Sequence, residues 1–461
     1  MTGNIHSNRL IGRREELANL YRLAERPGGQ LVLISGRRRI GKSFLLEHFI
    51  HDRRAIFYQA TQQTETAELA AFSDLVRGTL GVDDLPAGVA YPSWESALTS
   101  LVKHARDERL IVVLDEFPYL CESTRGLPSI IQRWWDRVGK RSGIMLIVCG
   151  SAQTLMERLD DTGAPLYHRF TGKLNVRMLS YRDAAQFTPQ LSAADKARIY
   201  AILGGTPFNL DQWDPDHGVR ENLLDLFADP MSSLVDSAEH VLTTELPDPR
   251  VAYRVLQAIA LGKSRFAEIH DFAEVHERAL PRLVGFGLID RRIPATEDRE
   301  KSKRSLYTIS DPYLRFYFRF IARNRGLIER GLGVRVVDEQ ILPHLDDHMG
   351  FSFEEIARTF MLELVRKGEV PGDDVGSWWS RDGQQEIDIV GTSNLRPTFI
   401  GTVKWRAQAL DMRVLRDLER DAAVLGIDES APRIVIGRGG CDERVLTSAG
   451  VRGYSAEDLY R

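Results

Sequence analysis

The chain has 461 residues, of which 43% are hydrophobic and 27% are charged, and its formal net charge at pH 7 is −4. This composition is typical of a globular protein of two or three domains, and it excludes a uniformly basic nucleic-acid coat without excluding a local basic patch. The three cysteines lie far apart, without the spacing of a zinc site or a disulfide framework, and no apolar run approaches ~18 residues. We therefore predict a cytoplasmic protein with reduced thiols and no membrane contact.

A phosphate-binding motif follows the first apolar segment of the chain. Residues Gly36–Ser43 match the P-loop pattern G-x-x-x-x-G-K-[ST], between the apolar run Gln30–Ser35 and a stretch with one apolar helical face, Phe44–Ile50. Strand, glycine loop and helix in this order direct backbone N–H groups and a helix N-terminus at one anionic group. The pattern predicts an ATP and Mg²⁺ site, in which Lys42 reaches the β- and γ-phosphates and the Ser43 hydroxyl binds the metal. The residues predicted to bind nucleotide here are Gly36, Gly41, Lys42 and Ser43.

The arginines between the two glycines, Arg37, Arg38 and Arg39, are interpreted as solvated loop residues that raise the local positive potential.

A second strand-like run ends in two acids, as a Walker B strand does. The apolar segment Leu110–Leu114 is followed by Asp115 and Glu116. Taken alone, an acidic pair after a strand also fits a helix cap or a solvated turn. Because a P-loop precedes it, we predict that Asp115 helps to bind Mg²⁺ and that Glu116 acts as the general base toward the attacking water.

Alternating strand-like and helical segments continue up to about residue 190, which predicts a parallel α/β sheet. The run Ile144–Ser151 is predicted as another buried strand, and Val176–Leu179 as the next. From about residue 191 to residue 248 the pattern becomes helical, with Gly204–Pro207 interrupting it.

Residues 249–310 are predicted to form three helices and a β-hairpin, which suggests a winged helix-turn-helix. Ser264 is a plausible N-cap of the second helix. The third helix is predicted over 275–286, where Pro281 should kink or shorten it. Mixed strands and helices over residues 311–461 predict a second α/β domain.

These pieces, in this order, resemble the archaeal-type P-loop ATPases of the STAND division of AAA+-like NTPases. Members of that family join an ATPase, a winged helix and a restriction-endonuclease-like domain. The resemblance implies that Gly12 and Arg13 lie against the nucleotide base, that Ser151 senses the γ-phosphate, and that Arg169 stabilises transition-state charge. Two alternatives stay open, in which Ser151 only ends a strand and Arg169 is a structural ion-pair partner.

With this resemblance, the predicted fold is an α/β P-loop NTPase sheet with a helical subdomain, a winged helix-turn-helix and a C-terminal α/β nuclease-like domain. The predicted domains are the ATPase core at 8–190, the helical subdomain at 191–248, the winged helix at 249–310 and the restriction-endonuclease-like domain at 311–461.

The C-terminal domain departs from the nuclease pattern that it resembles. Glu354, Asp388 and Lys404 stand where that family holds Mg²⁺ and orients water. Thr402 occupies the place of the second strand carboxylate, and a hydroxyl is a poor substitute for an anionic Mg²⁺ ligand. We predict a degenerate site, with compensation by Glu386 as the alternative.

Two functions compete at this stage. One is an ATP-dependent switch that engages DNA through its winged helix, and the other is a regulatory ATPase whose winged helix and C-terminal domain bind protein partners; either could act as a homo-oligomer. Basic residues favour DNA, whereas interleaved acids suggest a solvated loop. The basic residues are Lys263, Arg265, Arg278, Arg282, Arg299, Lys301, Lys303 and Arg304, and the acids are Glu274, Glu277, Glu297, Asp298 and Glu300.

Overall fold

The computed structural model describes residues 9–81, 85–86, 88–106, 108–151, 153–246 and 248–461. The chain divides into two compact units, Met1–Leu179 with Thr206–Phe208, and Ser180–Gly205 with Asn209–Arg461. The predicted end of the ATPase core at residue 190 stays a prediction. Within the second unit, Tyr181 and Arg182 donate hydrogen bonds to the carbonyl oxygen of Leu459, at 2.8 Å each.

The first unit contains a five-stranded parallel sheet. Its strands are β1 (Gln30–Ser35), β2 (Ala55–Gln59), β3 (Leu110–Asp115), β4 (Ile144–Gly150) and β5 (Gly172–Asn175), in the order β2-β3-β4-β1-β5. The apolar runs predicted as strands β1, β3 and β4 are confirmed.

The strand predicted at Val176–Leu179 is wrong, because the ladder with β1 covers Gly172–Asn175. Val176 still donates its N–H to the carbonyl of Ser35, at 2.8 Å. Strand β1 ends at Ser35, where the chain turns into the glycine loop. Leu179 and its neighbours therefore have no strand beside them with which to form ladder hydrogen bonds.

Side chains alternate between the two faces of this sheet and fill a separate core on each face. On one face Leu31, Val112 and Leu146 are buried against helices that follow β2 and β3. On the other face Val32 and Ile147 are buried against the first two helices. Helices thus cover both faces, which explains why the strands read as continuous apolar runs.

The helices of the first unit are α1 (Arg14–Glu25), α2 (Lys42–Ile50), α3 (Glu65–Leu80), α4 (Trp94–Leu101), α5 (Phe117–Ser123), α6 (Leu127–Arg137) and α7 (Gln153–Arg158).

The second unit begins with helices. They are α8 (Tyr181–Ala184), α9 (Ala193–Leu203), α10 (Pro207–Leu210, which starts in the segment that belongs to the first unit), α11 (Val219–Phe227) and α12 (Ser233–Glu245). Three further helices precede a hairpin: α13 (Pro249–Ala260), α14 (Phe266–Ala273) and α15 (Ala279–Gly285), with antiparallel strands β6 (Ile289–Arg292) and β7 (Leu306–Ile309).

Two details of this three-helix segment differ from the prediction. The N-cap of α14 is Arg265 rather than Ser264, and the Glu268 carboxylate accepts the backbone N–H groups of both residues at 3.1 Å. Helix α15 begins only at Ala279, so Pro281 lies in its first turn. No kink is needed there, because the first N–H groups of a helix have no partner within the helix.

A second five-stranded sheet follows helices α16 (Pro312–Phe316), α17 (Arg325–Glu329), α18 (Gly333–Arg335) and α19 (Leu345–Arg366). Its strands and helices are β8 (Asp374–Trp379), β9 (Glu386–Ser393), β10 (Arg396–Lys404), α20 (Met412–Leu425), β11 (Arg433–Gly437), α21 (Glu443–Leu446), β12 (Val451–Ser455) and α22 (Ala456–Tyr460). The order is β12-β11-β10-β9-β8, antiparallel from β8 to β10 and parallel from β10 to β12.

The C-terminal sheet is also covered on both faces. Helix α19 buries Phe353, Phe360 and Leu364 against one face, together with residues of α9. Helix α20 buries Leu418 against the other face. The division of this unit at residues 248 and 310 stays a prediction.

Candidate functional site

The loop Gly36–Ser43 joins β1 to α2, and its glycines permit its shape. Gly36 has φ +151°, and a Cβ there would lie 2.4 Å from the carbonyl oxygen of Val176. Gly41, the N-cap of α2, has φ +86°. The backbone therefore turns tightly enough to point the first N–H groups of a nine-residue helix into the loop.

Lys42 lies inside this loop. Its side chain is buried, and its ammonium group donates to the carbonyl oxygens of Gly36 and Arg37, at 2.9 Å each. A buried ammonium group surrounded by loop backbone provides a fixed positive charge for an anion that the loop encloses.

Ser43, in helix α2 after β1, contacts Asp115 at the end of β3, although β4 lies between these two strands in the sheet. The Ser43 hydroxyl donates to Oδ2 of the buried Asp115 at 2.7 Å. A hydroxyl and a carboxylate are hard oxygen ligands, and Mg²⁺ is commonly bound by one or two such side chains together with substrate phosphates. The donor set at this point therefore fits Mg²⁺.

Glu116 follows Asp115 in a left-handed conformation, with φ +49°, at the N-cap of α5. That conformation costs a residue with a side chain about 1–3 kcal/mol, and such residues cluster at functional sites. The Ser151 hydroxyl, just after β4, donates to Oε2 of Glu116 at 3.3 Å. The two predicted catalytic residues are thus in direct contact.

Arg38 also contacts Ser151, and the sequence did not indicate this contact. Its guanidinium donates to the Ser151 hydroxyl at 3.3 Å and to the Tyr119 hydroxyl at 3.0 Å. The interpretation of Arg38 as a solvated loop residue was therefore wrong. The sequence of a loop motif carries no signal of which strand end an arginine within it will contact.

Two distant segments also reach the loop. Arg13 is buried and donates to the carbonyl oxygen of Ile40 at 2.9 Å, while it pairs with Glu16 at 3.0 Å. Arg13 (φ +62°) and Gly12 (φ +66°) are both left-handed. In this arrangement Arg13 fixes the loop through its backbone, and its predicted contact with a nucleotide base stays a prediction.

The other segment is Thr206–Phe208, which belongs to the first unit. The Arg39 guanidinium lies over the Phe208 ring, 4.3 Å from its centroid, and a Cβ at Gly41 would lie 3.8 Å from Pro207 Cγ. The proline of the motif Gly204–Pro207 therefore lies at the phosphate loop, and Arg39 is not simply solvated.

The structure does not bring Arg169 to this loop. Arg169 pairs with Asp136 at 2.8 Å, and its hydrogen bonds lower the pKa of that carboxyl. Two residues further on, Thr171 donates its N–H to the carbonyl of Leu31, near the start of β1. The loop follows the other end of β1, ~13 Å away for four strand residues.

The second unit brings together the residues predicted as a nuclease-like site. Three donors converge on Oδ2 of Asp388: the Thr402 hydroxyl at 3.0 Å, the Val403 N–H at 2.7 Å and the Lys404 ammonium at 3.0 Å. Thr402 therefore acts as a hydrogen-bond donor where a metal site would place an acceptor. In the described residues, no cluster of three or more His, Cys, Asp or Glu side chains is arranged for a metal ion.

Glu354 lies near Asp388. Burial and the Asp388 charge raise the pKa of Glu354 to about 7, against the opposing effect of Arg358. Glu386, the predicted compensating acid, is exposed at the start of β9.

The sheet is parallel, its glycine loop encloses a lysine, and a serine after that loop donates to the carboxylate that ends a second buried strand, two positions away in the sheet. This arrangement defines a P-loop nucleoside triphosphatase. Residues 10–213 match the model of a family described as an ATPase domain predominantly from Archaea. Residues 10–213 therefore form an ATPase domain of the archaeal P-loop type, and the chain is an ATPase. Residues 317–415 match a family described as archaeal and bacterial proteins of unknown function.

The chain is similar to known proteins over much of its length. An uncharacterised protein of Methanocaldococcus jannaschii is 28% identical over 440 residues, which cover 91% of this chain and 93% of that protein. The structure of a Walker-type ATPase of Pyrococcus abyssi covers 67% of this chain and 96% of its own, with a TM-score of 0.50 and 19% identity, a similarity of fold. In the part of the chain that the structure describes, no helix is long and apolar enough to cross a membrane.

Proposed function

We propose that this ATPase is a Mg²⁺-dependent switch of the STAND type that engages DNA through residues 249–310. The observation that carries the metal-dependent chemistry is the 2.7 Å contact between Ser43 and Asp115 beside the loop that holds Lys42. On ATP binding, Lys42 would contact the β- and γ-phosphates, and Ser43 and Asp115 would bind Mg²⁺. The metal would neutralise developing charge on the phosphates.

Glu116 is the proposed base, since it follows the metal-binding carboxylate directly and projects from a conformation that the fold enforces. Ser151 holds one of its carboxylate oxygens, and Arg38 in turn holds Ser151. This chain of contacts links the base to the phosphate loop, so loss of the γ-phosphate could be transmitted to the end of β4.

Arg169 supports a further part of the proposal, namely a homo-oligomer. Arg169 lies near the end of the sheet at which β1 begins, away from the phosphate loop of its own chain. An arginine that stabilises transition-state charge can be supplied by another subunit. Arg169 would then serve the nucleotide of a second copy, on exchange of its Asp136 partner.

The DNA part rests on the hairpin and the helices before it. Arg299 and Lys303 are exposed, and within the described residues neither forms a salt bridge. Lys301 pairs with Asp298 at 3.8 Å and Arg304 pairs with Glu297 at 2.6 Å. Unneutralised hairpin cations favour contacts with backbone phosphate.

The two internal pairs favour the second candidate, a regulatory ATPase that binds protein partners through the same segment. In both cases the C-terminal sheet would not cleave DNA, because its central carboxylate is occupied by protein donors.

One experiment separates the candidates: the ATPase rate with and without duplex DNA, and duplex affinity as a function of salt. We expect stimulation, and affinity that falls steeply with salt, because phosphate contacts release counterions. The double variant Arg299→Glu, Lys303→Glu should weaken binding and flatten the salt dependence. Its matched control is Arg366→Glu, Lys367→Glu, two exposed cations at the end of α19. If the double variant and its control bind duplex DNA with equal affinity, the result would favour the protein-partner candidate.

A further inference from the structure

The second unit contains a cleft of about 1040 Å³ that the ATPase site does not use. One wall is formed by α14 and α15, represented by Phe266 and Pro281, and by the hairpin connection. The other wall is formed by the end of β8, with Trp379, and by the turn that follows it, with Arg381. The C-terminal sheet therefore faces the groove between helix α15 and the hairpin.

The lining of this cleft is strongly basic, although the whole chain has a net charge of −4. Glu386 is the one carboxylate that lines it among the described residues. The six cations are Arg265, Arg291, Arg299, Lys303, Arg304 and Arg381.

Four of these cations point to a ligand rather than to internal pairing. Arg265, Arg299, Lys303 and Arg381 are exposed, and none of them forms a salt bridge within the described part of the chain. Arg291 has a different role, because it donates to the Ser305 hydroxyl at 2.6 Å and to the Ser302 carbonyl at 2.8 Å. It thereby fixes the connection that carries the hairpin cations.

Aromatic side chains lie among the charges. Phe266 is 38% exposed at the start of α14, and its ring stacks on His270 with centroids 5.9 Å apart. Trp379 is half-buried, and the Arg304 guanidinium lies 6.0 Å from its ring centroid. A groove with cations for the backbone and aromatic faces for the bases is the arrangement with which proteins bind single strands.

The size of the cleft favours one strand over a duplex. Its volume is close to the upper end of the ~300–1,000 Å³ range of small-molecule pockets, which suits a few nucleotides rather than two paired strands. In a duplex the base faces are stacked and closed to Phe266. We propose that this cleft binds a single strand of DNA with unpaired bases, a proposal that rests on DNA as the partner and names the form of DNA.

The cleft also leads toward the nuclease-like residues. Glu386 lines a second cleft, of about 550 Å³, together with Asp388, Thr402 and Lys404.

The test measures the binding of a fluorescent oligothymidylate and of a matched duplex to the full-length chain at several salt concentrations. Arg381→Glu should weaken single-strand binding about tenfold or more and reduce the salt slope by about 0.7 for each phosphate that the protein no longer neutralises. Phe266→Ala should weaken it about tenfold with an unchanged slope, because stacking releases no counterions. The matched control is Arg396→Glu, an exposed cation at the start of β10 in the same sheet, outside both clefts.

The outcomes distinguish this proposal from the proposed function. If the wild type binds single strands and both cleft variants behave like Arg396→Glu, the cleft assignment is overturned. If it binds the duplex alone, the single-strand inference is wrong while the proposed DNA function stands. If neither DNA form binds, the proposed function fails, and the inference fails with it.

Discussion

At the phosphate loop, Lys42 and Glu116 have different hydrogen-bond partners, so single substitutions can separate nucleotide binding from hydrolysis. Lys42→Ala removes the charge that the loop encloses, and we expect ATP affinity to fall at least tenfold, as measured by titration with a fluorescent ATP analogue. Glu116→Gln keeps the shape at the N-cap of α5 but removes the base. It should retain ATP binding and lower the hydrolysis rate by about 100-fold or more.

The control for that pair is Glu122→Gln, an exposed carboxyl on the same helix α5, which should hydrolyse ATP like the wild type. Wild-type turnover in Glu116→Gln would exclude Glu116 as the base.

The residue at position 402 determines whether Asp388 is next to a hydrogen-bond donor or next to a second carboxylate, and here the Thr402 hydroxyl is a donor. Thr402→Glu would place a carboxylate beside Asp388, in a cleft with room for a longer side chain. We expect the variant to gain Mg²⁺ binding, seen as a Mg²⁺-dependent rise in melting temperature larger than that of the wild type, which shares the proposed Mg²⁺ site at Ser43 and Asp115. Thr402→Gln has the same length without the charge and should show no such rise. A Mg²⁺-dependent rise of equal size in the wild type would contradict the degenerate site.

Glu354 makes the stability of the second unit depend on pH. Its pKa in the folded protein is about 7, above the ordinary value of 4.5, so its protonated form is favoured by folding. That contribution is fully present below pH 4.5 and is lost as pH rises through 7. Between pH 4.5 and 8, the free energy of unfolding of the wild type should fall by about 1–3 kcal/mol more than that of Glu354→Gln. Equal pH profiles in denaturant unfolding, recorded with chelator, would show that Glu354 titrates normally.

At the scale of elements, the sequence predicted the parts whose signal is local and continuous. Strands β1, β3 and β4 are buried on both faces, so their apolar runs were visible without any tertiary information. Strand β5, with alternating exposure, was placed a few residues too late, because its limits depend on where β1 leaves the sheet. The short helix α15 was predicted too long, since the turn before Ala279 carries no glycine or proline that marks a helix start.

In the candidate site, too, the local features could be predicted from the sequence and the long-range contacts could not. The motif residues Lys42, Ser43 and Asp115 were predictable, because their chemistry requires their spacing within one strand–loop–helix unit. The contact of Arg38 with Ser151 and the stacking of Arg39 on Phe208 were not predictable, since each joins segments more than 100 residues apart in the sequence. Such contacts depend on strand order, which apolar periodicity does not specify.

At the scale of the whole molecule, the division into two units has a consequence for nucleotide binding. Thr206–Phe208 interrupts the second unit in sequence but belongs to the first, where Phe208 lies under Arg39 of the phosphate loop. A ligand that orders this loop should therefore also order a segment far from it in the chain.

Hydrogen exchange can test this consequence. A non-hydrolysable ATP analogue with Mg²⁺ should slow amide exchange in peptides that cover residues 36–43 and 204–210, because ligand binding raises the free energy of local opening. Peptides within β11, in the core of the second unit, should exchange at the same rate with and without ligand. Lys42→Ala should abolish both effects, and Phe208→Ala should reduce the effect at 204–210 while the loop stays protected. Protection of the loop without any change at residues 204–210 in the wild type would mean that Phe208 does not accompany the nucleotide-bound loop.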